Sequence, residues 1–191
     1  FYWRDIGLLD AYWEASMDLV SDHPEFDLYD PAWPIRTYHS PSPPSRVLLK
    51  DVPSTQTVIA EGCLVHDAAL DRCVLSNNVR VNRGAELSES VLMEGVTVGE
   101  KARLRRVIVD KNVTLPPDCE IGFDLEKDKG RFTVTPSGVV VIPQLRLNQV
   151  GQRLAEVRAS EAELDRRVRD GLDHVEAVQE LIDADRVQFL D

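Results

Sequence analysis

The densest group of side chains able to bind an anionic ligand is a run of four cations, Lys101, Arg103, Arg105 and Arg106. Arginine and lysine hold phosphate and carboxylate groups through charge-assisted hydrogen bonds. The chain as a whole carries a net charge of −11, so any bound anion must rely on a local cluster of this kind. Three interpretations of the run are open: a solvated outer face, a subunit or domain interface, and an effector site.

Histidine and cysteine are the other residue types that could do chemistry. His66 is followed by Asp67 and could act as a general base, but the pair is more typical of a corner in the fold. Cys63, Cys73 and Cys119 are odd in number and form no CxxC or Cys/His array, which argues against a disulfide framework and a zinc site. We therefore expect a reducing, cytoplasmic environment.

Charge and hydropathy exclude two classes of partner. An acidic chain repels nucleic acid and anionic membranes. No apolar run approaches the roughly 18 residues of a membrane span, and no signal sequence opens the chain. Phe1 lies directly in an apolar and aromatic run without an initiator Met, so we expect the sequence to be a piece of a longer protein.

A repeat of 17 residues, spanning 57–124, must position these side chains. Its rows are TVIAEGCLVHDAALDRC, VLSNNVRVNRGAELSES, VLMEGVTVGEKARLRRV and IVDKNVTLPPDCEIGFD. Three columns are aliphatic in every row: Val58/Leu75/Leu92/Val109, Leu64/Val81/Val98/Leu115 and Leu70/Leu87/Leu104/Ile121. Two more columns are small or β-branched: Ala68/Ala85/Ala102/Cys119 and Gly62/Val79/Val96/Val113.

The spacing of the aliphatic columns defines the fold. They recur at intervals of 6, 6 and 5, which gives each coil three sides and cannot supply the 3.6-residue stripe of a helix. Asparagines and glycines fall between them, where corners need residues that tolerate left-handed backbone. The sequence predicts a mainly β fold, a left-handed parallel β-helix of about four 17-residue coils.

The flanks of the repeat divide the chain further. Residues 1–22 contain a predicted helix, 5–20, with Asp5 as its N-cap. Residues 23–56 form a Pro-rich connector, 57–124 the β-helix, and 125–144 a capping hairpin with its turn at 136–138. Residues 145–191 have apolar positions at alternating steps of 4 and 3 and predict a helical tail, either a partner-seeking helix or a surface-packed one.

The segments outside the repeat resemble a known family. YWRDIG (2–7), AYWEA (11–15), WPIRTY (33–38), PPS (43–45), RF (131–132) and GVVVI (138–142) are together similar to the C-terminal part of bacterial glucose-1-phosphate adenylyltransferases, in the family's order. The resemblance implies a tetrameric, Mg²⁺-dependent enzyme that forms ADP-glucose and pyrophosphate from ATP and glucose 1-phosphate for glycogen or starch synthesis. It also implies that residues 1–22 end the nucleotidyltransferase domain.

The resemblance assigns active-site roles to two residues. Trp3 and Asp5 would help to bind glucose 1-phosphate, and Asp5 would share the metal with a carboxylate far upstream. Leu8 stands where the family usually has Thr. No part of the 191 residues matches the family's Gly-rich, Arg-bearing loop for ATP, so we expect the chain to be inactive alone.

The resemblance also assigns a regulatory site, for a phosphorylated sugar or glycerate bound between the β-helix and the catalytic domain. Lys111 falls on an effector-binding lysine, and Lys129 and Arg131 are weaker candidates. A second family lysine often follows the closing apolar run, but this chain has Gln144 there, which predicts a weaker or different effector response.

Two alternatives remain for function. The chain could be a free-standing scaffold that binds a catalytic subunit in trans. It could also be a hexapeptide-type acyltransferase, a class that generally needs a histidine to deprotonate its acceptor. His66 is the one histidine within the repeat, and the motifs outside the repeat favour the adenylyltransferase.

Overall fold

The computed structural model describes residues 2–35, 41–49 and 54–144. Phe1, parts of the connector and the predicted helical tail, 145–191, lie outside the described residues. In chain order the described elements are α1 (Leu9–Leu19), β1 (Arg46–Leu48), β2 (Ser54–Thr55), β3 (Val58–Ile59), β4 (Leu64–His66), β5 (Ala69–Asp71), β6 (Val74–Leu75), β7 (Arg80–Val81), β8 (Glu86–Ser88), β9 (Val91–Leu92), β10 (Thr97–Val98), β11 (Arg103–Arg105), β12 (Val107–Val109), β13 (Thr114–Leu115), β14 (Glu120–Ile121), α2 (Leu125–Lys129), β15 (Thr133–Val134) and β16 (Val140–Ile142).

The strands form the three sides of a solenoid. The first sheet has the order β1-β4-β7-β10-β13, the second β14-β11-β8-β5-β2, and the third β15-β16-β12-β9-β6-β3. Successive coils pair in parallel, for example Leu87 with Leu104 and Leu104 with Ile121. This architecture confirms the predicted mainly β fold of about four stacked coils. Neither described helix is long and apolar enough to cross a lipid bilayer.

The interior of the solenoid is filled by one aliphatic side chain from each sheet per coil. These side chains are almost completely buried: Val65, Val81, Val98 and Leu115 from the first sheet, Leu70, Leu87, Leu104 and Ile121 from the second, and Leu75, Leu92, Val109 and Ile142 from the third. Ala68, Ala85 and Ala102 are buried beside them, as the column of small residues predicts. Each fully buried aliphatic side chain contributes about 1.5–3 kcal/mol, so the repeat is the main source of stability.

The first coil departs from the predicted columns by one residue. Leu64 pairs with Arg80 and is 42% exposed, whereas Val65 pairs with Val81 and is 1% exposed. In the third sheet Leu75 likewise pairs with Ile59, so the assignments of Leu64 and Val58 to the interior were wrong. The cause is a corner before Asp67 that is one residue shorter than the later corners.

The corners use left-handed backbone in vertical stacks. Positive φ recurs at Gly62, Asn78, Gly95 and Asn112 on one edge, and at corresponding residues on the other two edges. At Gly95 a Cβ atom would lie 2.4 Å from Oδ1 of Asn112 in the next coil. The glycine therefore makes room for the asparagine of the neighbouring coil, and alternation of the two residues lets the coils stack closely.

The C-terminal end of the solenoid is closed by α2 and a hairpin. Asp124 caps α2 by accepting a hydrogen bond from the Lys127 amide. Asp128 is buried and accepts a 2.7 Å hydrogen bond from the Gly122 amide, which ties the helix to the last coil. β15 and β16 pair antiparallel, and β16 continues the third sheet beside β12.

Helix α1 begins at Leu9, four residues later than predicted. Asp5 does not cap it: its Oδ1 accepts a 2.9 Å hydrogen bond from the Gly7 amide in a local turn, and the residue at the N-cap, Leu8, makes no side-chain cap. The short-range bond to Gly7 competes with helix capping, as aspartate side chains commonly do.

Helix α1 packs on the outer face of the third sheet. Trp13 is buried against Val91, Ile108 and Val139. Its indole Nε1 donates a 2.7 Å hydrogen bond to the carbonyl oxygen of Glu89. The helix therefore belongs to the solenoid's own packing and fixes the position of the segment that precedes it.

Candidate functional site

A groove of about 340 Å³ lies between the N-terminal segment and the third sheet. Its lining comes from both sides: Ile6, Gly7, Leu8, Leu9 and Tyr12 from the N-terminal segment, and Met93, Ile108, Asp110, Val141 and Pro143 from the solenoid. Asp5 directly precedes the first group in sequence and Lys111 directly follows Asp110. Asp5 and Lys111 are therefore sequence neighbours of residues that line the groove and are not themselves part of its lining.

The segment carrying Trp3 and Asp5 is held against α1 by ionic contacts. Arg4 lies 3.2 Å from a carboxylate oxygen of Asp18 and 3.4 Å from one of Glu14. Trp3 remains 75% exposed and Asp5 is exposed as well. An indole presented to solvent on a fixed backbone offers a flat apolar surface on which a ligand can stack.

The backbone at Lys111 is fixed by Asp110. One carboxylate oxygen of Asp110 accepts a 2.7 Å hydrogen bond from the Lys111 amide, and the other lies 3.4 Å from the amide of Gln144. Lys111 is exposed at the corner between the third and first sheets. The parallel pairing of β12 with β16 therefore brings Lys111 and Gln144, the positions to which the resemblance assigns effector lysines, to the same corner.

Lys129 and Arg131 lie on a different part of the solenoid, at the end of α2. The Lys129 ammonium is 2.6 Å from a carboxylate oxygen of Glu126, one turn earlier in the helix. The Arg131 guanidinium lies over the ring of Phe132 at 4.9 Å. Both side chains are exposed and both have partners within the cap.

The run of cations does not form one patch, because its members point to different sides of the coil. Arg103 lies on the outer face of the second sheet between Glu86 and Glu120, at 3.2 and 2.7 Å. Arg105 stacks on Phe123 at 4.9 Å. Arg103 and Phe123 line a groove of about 640 Å³ that also contains the carboxylates of Asp71 and Glu86.

Arg106, the last residue of the run, instead belongs to the contact with α1. Its guanidinium lies 4.3 Å from the centre of the Trp13 ring and 3.4 Å from a carboxylate oxygen of Glu89. Glu89 also pairs with Arg72 of the preceding coil. Arg106 is therefore used in the packing of α1 on the third sheet, and its contacts do not test the subunit-interface or effector-site interpretation of the run.

His66 occupies the shortened corner of the first coil. Its Nε2 lies 3.2 Å from an Nη atom of Arg83 and 3.7 Å from a carboxylate oxygen of Asp67. Arg83 itself is 3.4 Å from that carboxylate. A histidine whose Nε2 faces a guanidinium is poorly placed to remove a proton from an acceptor, so the acyltransferase alternative gains no support.

The described residues contain no cluster of three or more His, Cys, Asp or Glu side chains that could hold a metal ion. Asp5 supplies a single exposed carboxylate, and Mg²⁺ is normally held by one or two carboxylates together with substrate phosphates. These residues do not by themselves form a Mg²⁺ site.

The cysteines have structural roles. Cys63 and Cys73 are buried in the solenoid, and none of the three forms a disulfide. Burial raises the pKa of the Cys73 thiol to about 11 and also raises the pKa of Cys63 and Cys119. A thiol in such surroundings stays protonated at neutral pH and is a poor nucleophile.

Sequence reasoning missed the outward face of the third sheet. Its outward positions, Val74, Val91, Ile108 and Val141, are all aliphatic and stack in register. The sequence did contain a signal for this apolar outer face, because three of the four rows of the repeat begin with two adjacent aliphatic residues. Strands that are apolar on both faces are buried on both faces, and α1 is the element that covers this one.

Comparison with known proteins places the solenoid in a family. The profile of the family described as "GlmU-like, C-terminal hexapeptide" matches residues 43–142. Similar curated proteins include the glucose-1-phosphate adenylyltransferases of Deinococcus deserti (45% identical over 148 residues, 75% of this chain and 36% of the relative) and Koribacter versatilis (43% over 145 residues, 74% and 35%). That of Mannheimia succiniciproducens is 39% identical over 168 residues, 86% of this chain and 38% of the relative.

The chain spans a little over a third of the length of these relatives. The relatives carry the name that the motifs around the repeat indicated, which confirms the resemblance. The three-sided solenoid and the matched residues 43–142 lead to the same assignment: this chain belongs to the GlmU-like C-terminal hexapeptide family, in the part of it that is similar to glucose-1-phosphate adenylyltransferases.

Proposed function

We propose that this chain is the C-terminal regulatory and oligomerisation region of a bacterial glucose-1-phosphate adenylyltransferase. The reaction joins ATP and glucose 1-phosphate into ADP-glucose and pyrophosphate and supplies glycogen synthesis in the cytoplasm. The groove between the N-terminal segment and the third sheet carries the proposal. Its lining residues Ile6 and Asp110 directly follow Asp5 and directly precede Lys111 in the chain, so we infer that a ligand bound beside one of them influences the other.

Trp3 and Asp5 would contact glucose 1-phosphate. Arg4 anchors their segment on α1 through Asp18 and Glu14, while the Trp3 ring stays exposed. A fixed backbone with an exposed indole suits contact with a sugar, which presents apolar C–H faces. Asp5 would supply one carboxylate to Mg²⁺, and the second would have to come from residues outside this sequence.

Lys111 would bind the phosphate of a sugar phosphate or glycerate effector. Its backbone is held by Asp110 beside Gln144. Because Gln144 is uncharged, this corner offers one cation where a second lysine is frequent in the family, and the effector should bind more weakly. Lys129 and Arg131 lie at the end of α2 and would contribute only if the effector or a neighbouring subunit reached that end.

The chain alone would bind no ATP in the family's way, because its glycines form no phosphate-binding loop. In a homotetramer of the whole enzyme, the solenoid would pack beside catalytic domains. The groove would then lie between the regulatory and the catalytic parts of the enzyme.

The test measures pyrophosphate release with ATP, glucose 1-phosphate and Mg²⁺. We expect none from these 191 residues and clear turnover from a longer protein that contains them. In that longer protein, Lys111→Gln should remove most of the stimulation by a sugar bisphosphate or 3-phosphoglycerate and leave unstimulated turnover intact. Lys127→Gln, a change at an exposed lysine of α2, is the matched control. Turnover by the 191 residues alone, or equal stimulation of both variants, would contradict the proposal.

A further inference from the structure

Two arginines on the outer face of the first sheet stand out because no carboxylate among the described residues pairs with them. Parallel register places Arg46 opposite Leu64 and Leu64 opposite Arg80, so the three residues form one row across β1, β4 and β7. Strands in a sheet are about 4.8 Å apart, which puts the two arginine backbones roughly 10 Å from each other. Their long side chains can therefore reach the same ligand above Leu64.

Arg46 and Arg80 differ in this respect from the other arginines in the part of the chain that the structure describes. No side-chain contact joins either of them to a carboxylate, a carbonyl or an aromatic ring there. The others all have such a contact: Arg4, Arg72, Arg83, Arg103, Arg105, Arg106 and Arg131. Two guanidinium groups with unused donors are thus held on one exposed face.

A small depression lies between the two arginines. Its volume is about 170 Å³, and Leu48, Leu64 and Asn82 also line it. Pockets that hold drug-sized ligands measure about 300–1,000 Å³, so this one suits a much smaller ligand. The exposed Leu64 side chain forms an apolar floor beneath the two cationic groups.

The local charge is positive although the chain is acidic. Asp67, the carboxylate at the corner that follows β4, is paired with Arg83, which also contacts His66. Within the described part of the chain, the charges of Arg46 and Arg80 therefore have no paired carboxylate. On the second sheet, by contrast, Arg103 lies between two glutamates, so an unpaired arginine row is not a general property of these outer faces.

We propose that Arg46 and Arg80 form a binding site for a small oxyanion of the size of inorganic phosphate, on the outer face of the first sheet. Each guanidinium can donate two parallel hydrogen bonds to such an anion, and the planar groups from two strands can hold it from opposite sides. This site is distinct from the corner of Lys111 and does not depend on the proposed enzymatic activity.

The test is a titration of the 191-residue chain with inorganic phosphate at low ionic strength, followed by calorimetry and ³¹P NMR. We expect Arg46→Gln and Arg80→Gln each to weaken binding about tenfold or more, and the double variant to lose it, since each removes charge-assisted hydrogen bonds. Arg103→Gln, on the second sheet, and Lys127→Gln, on α2, should bind phosphate as the unmodified chain does.

Both arginines are exposed and have no side-chain partner among the residues that the structure describes. Their variants should therefore unfold at the same temperature as the unmodified chain, and lost binding would not reflect lost folding. Three results would overturn the proposal: no phosphate binding by the unmodified chain, undiminished binding by the double variant, or an equal loss of binding in Arg103→Gln or Lys127→Gln.

Discussion

The first and third sheets of the solenoid are built by the same coils, yet their outer faces are opposite in character. In the first sheet the outward positions are Leu64, Arg80, Thr97 and Thr114, and in the third they are Val74, Val91, Ile108 and Val141. The interior of both sheets is equally apolar. The difference teaches that the interior residues define the fold, whereas the outward residues decide which side accepts another element.

The largest effect should come from a charge placed on the covered face. Ile108→Glu puts a carboxylate under Trp13 without a partner, which should weaken the docking of α1 by about 3–5 kcal/mol. The matched change on the first sheet, Thr114→Glu, adds the same charge to an exposed position and should have little effect. Hydrogen exchange of residues 9–19 measures the docking. Equal exchange in the two variants would mean that the two faces do not differ as described.

A smaller effect is expected from the helix side of the same contact. Trp13→Ala removes the buried ring and its hydrogen bond to the Glu89 carbonyl, with a loss of about 3 kcal/mol in urea unfolding. Trp3→Ala, which truncates an indole that is 75% exposed, should change stability by less than about 0.5 kcal/mol. Equal destabilisation by Trp3→Ala and Trp13→Ala would mean that the buried Trp13 indole contributes no more to stability than the exposed Trp3 indole.

The smallest effect is expected from Asp10, at the edge of the contact between α1 and the solenoid. Hydrogen bonds from Thr135 and Ser137 lower the pKa of Asp10 below its ordinary value of 3.8. Because the pKa of Asp10 is lower in the folded protein, its stabilisation of α1 docking is fully present above pH 3.8 and is lost as the pH falls through the pKa of the folded state. Asp10→Asn should reduce docking by under about 1 kcal/mol at neutral pH, a surface-bond magnitude. Trp13 fluorescence against pH checks this: the variant should lack the acid step, and an unchanged step would assign it to another carboxylate.

The sequence predicted the stacked coils correctly but assigned the wrong residues of the first coil to the interior. Three aliphatic columns suffice to identify a three-sided solenoid, because no helix places apolar residues at intervals of 6, 6 and 5. The pattern could not decide between Leu64 and Val65, or between Val58 and Ile59, since both residues of each pair are aliphatic. Only the register of the shortened corner before Asp67 settles which one points inward.

The candidate site was predictable only in part. Motif resemblance supplied Trp3, Asp5 and Lys111, but Asp110 and Gln144 are 34 positions apart and meet only because β16 pairs with β12. The run of cations misled for the opposite reason. Its members are close in sequence, yet the strand and corner at 103–106 send Arg103 and Arg106 to different faces.

Helix α1 has a mechanical consequence for the solenoid it covers. Coils that touch only their neighbours can open one at a time, as in other repeat proteins. Trp13 packs against Val91, Ile108 and Val139, which belong to two successive coils and the cap, and Val74 of the preceding coil packs against the same cluster. The helix therefore links coils that would otherwise unfold independently. We expect the later coils and the cap to unfold together when the helix is released, as a single cooperative unit.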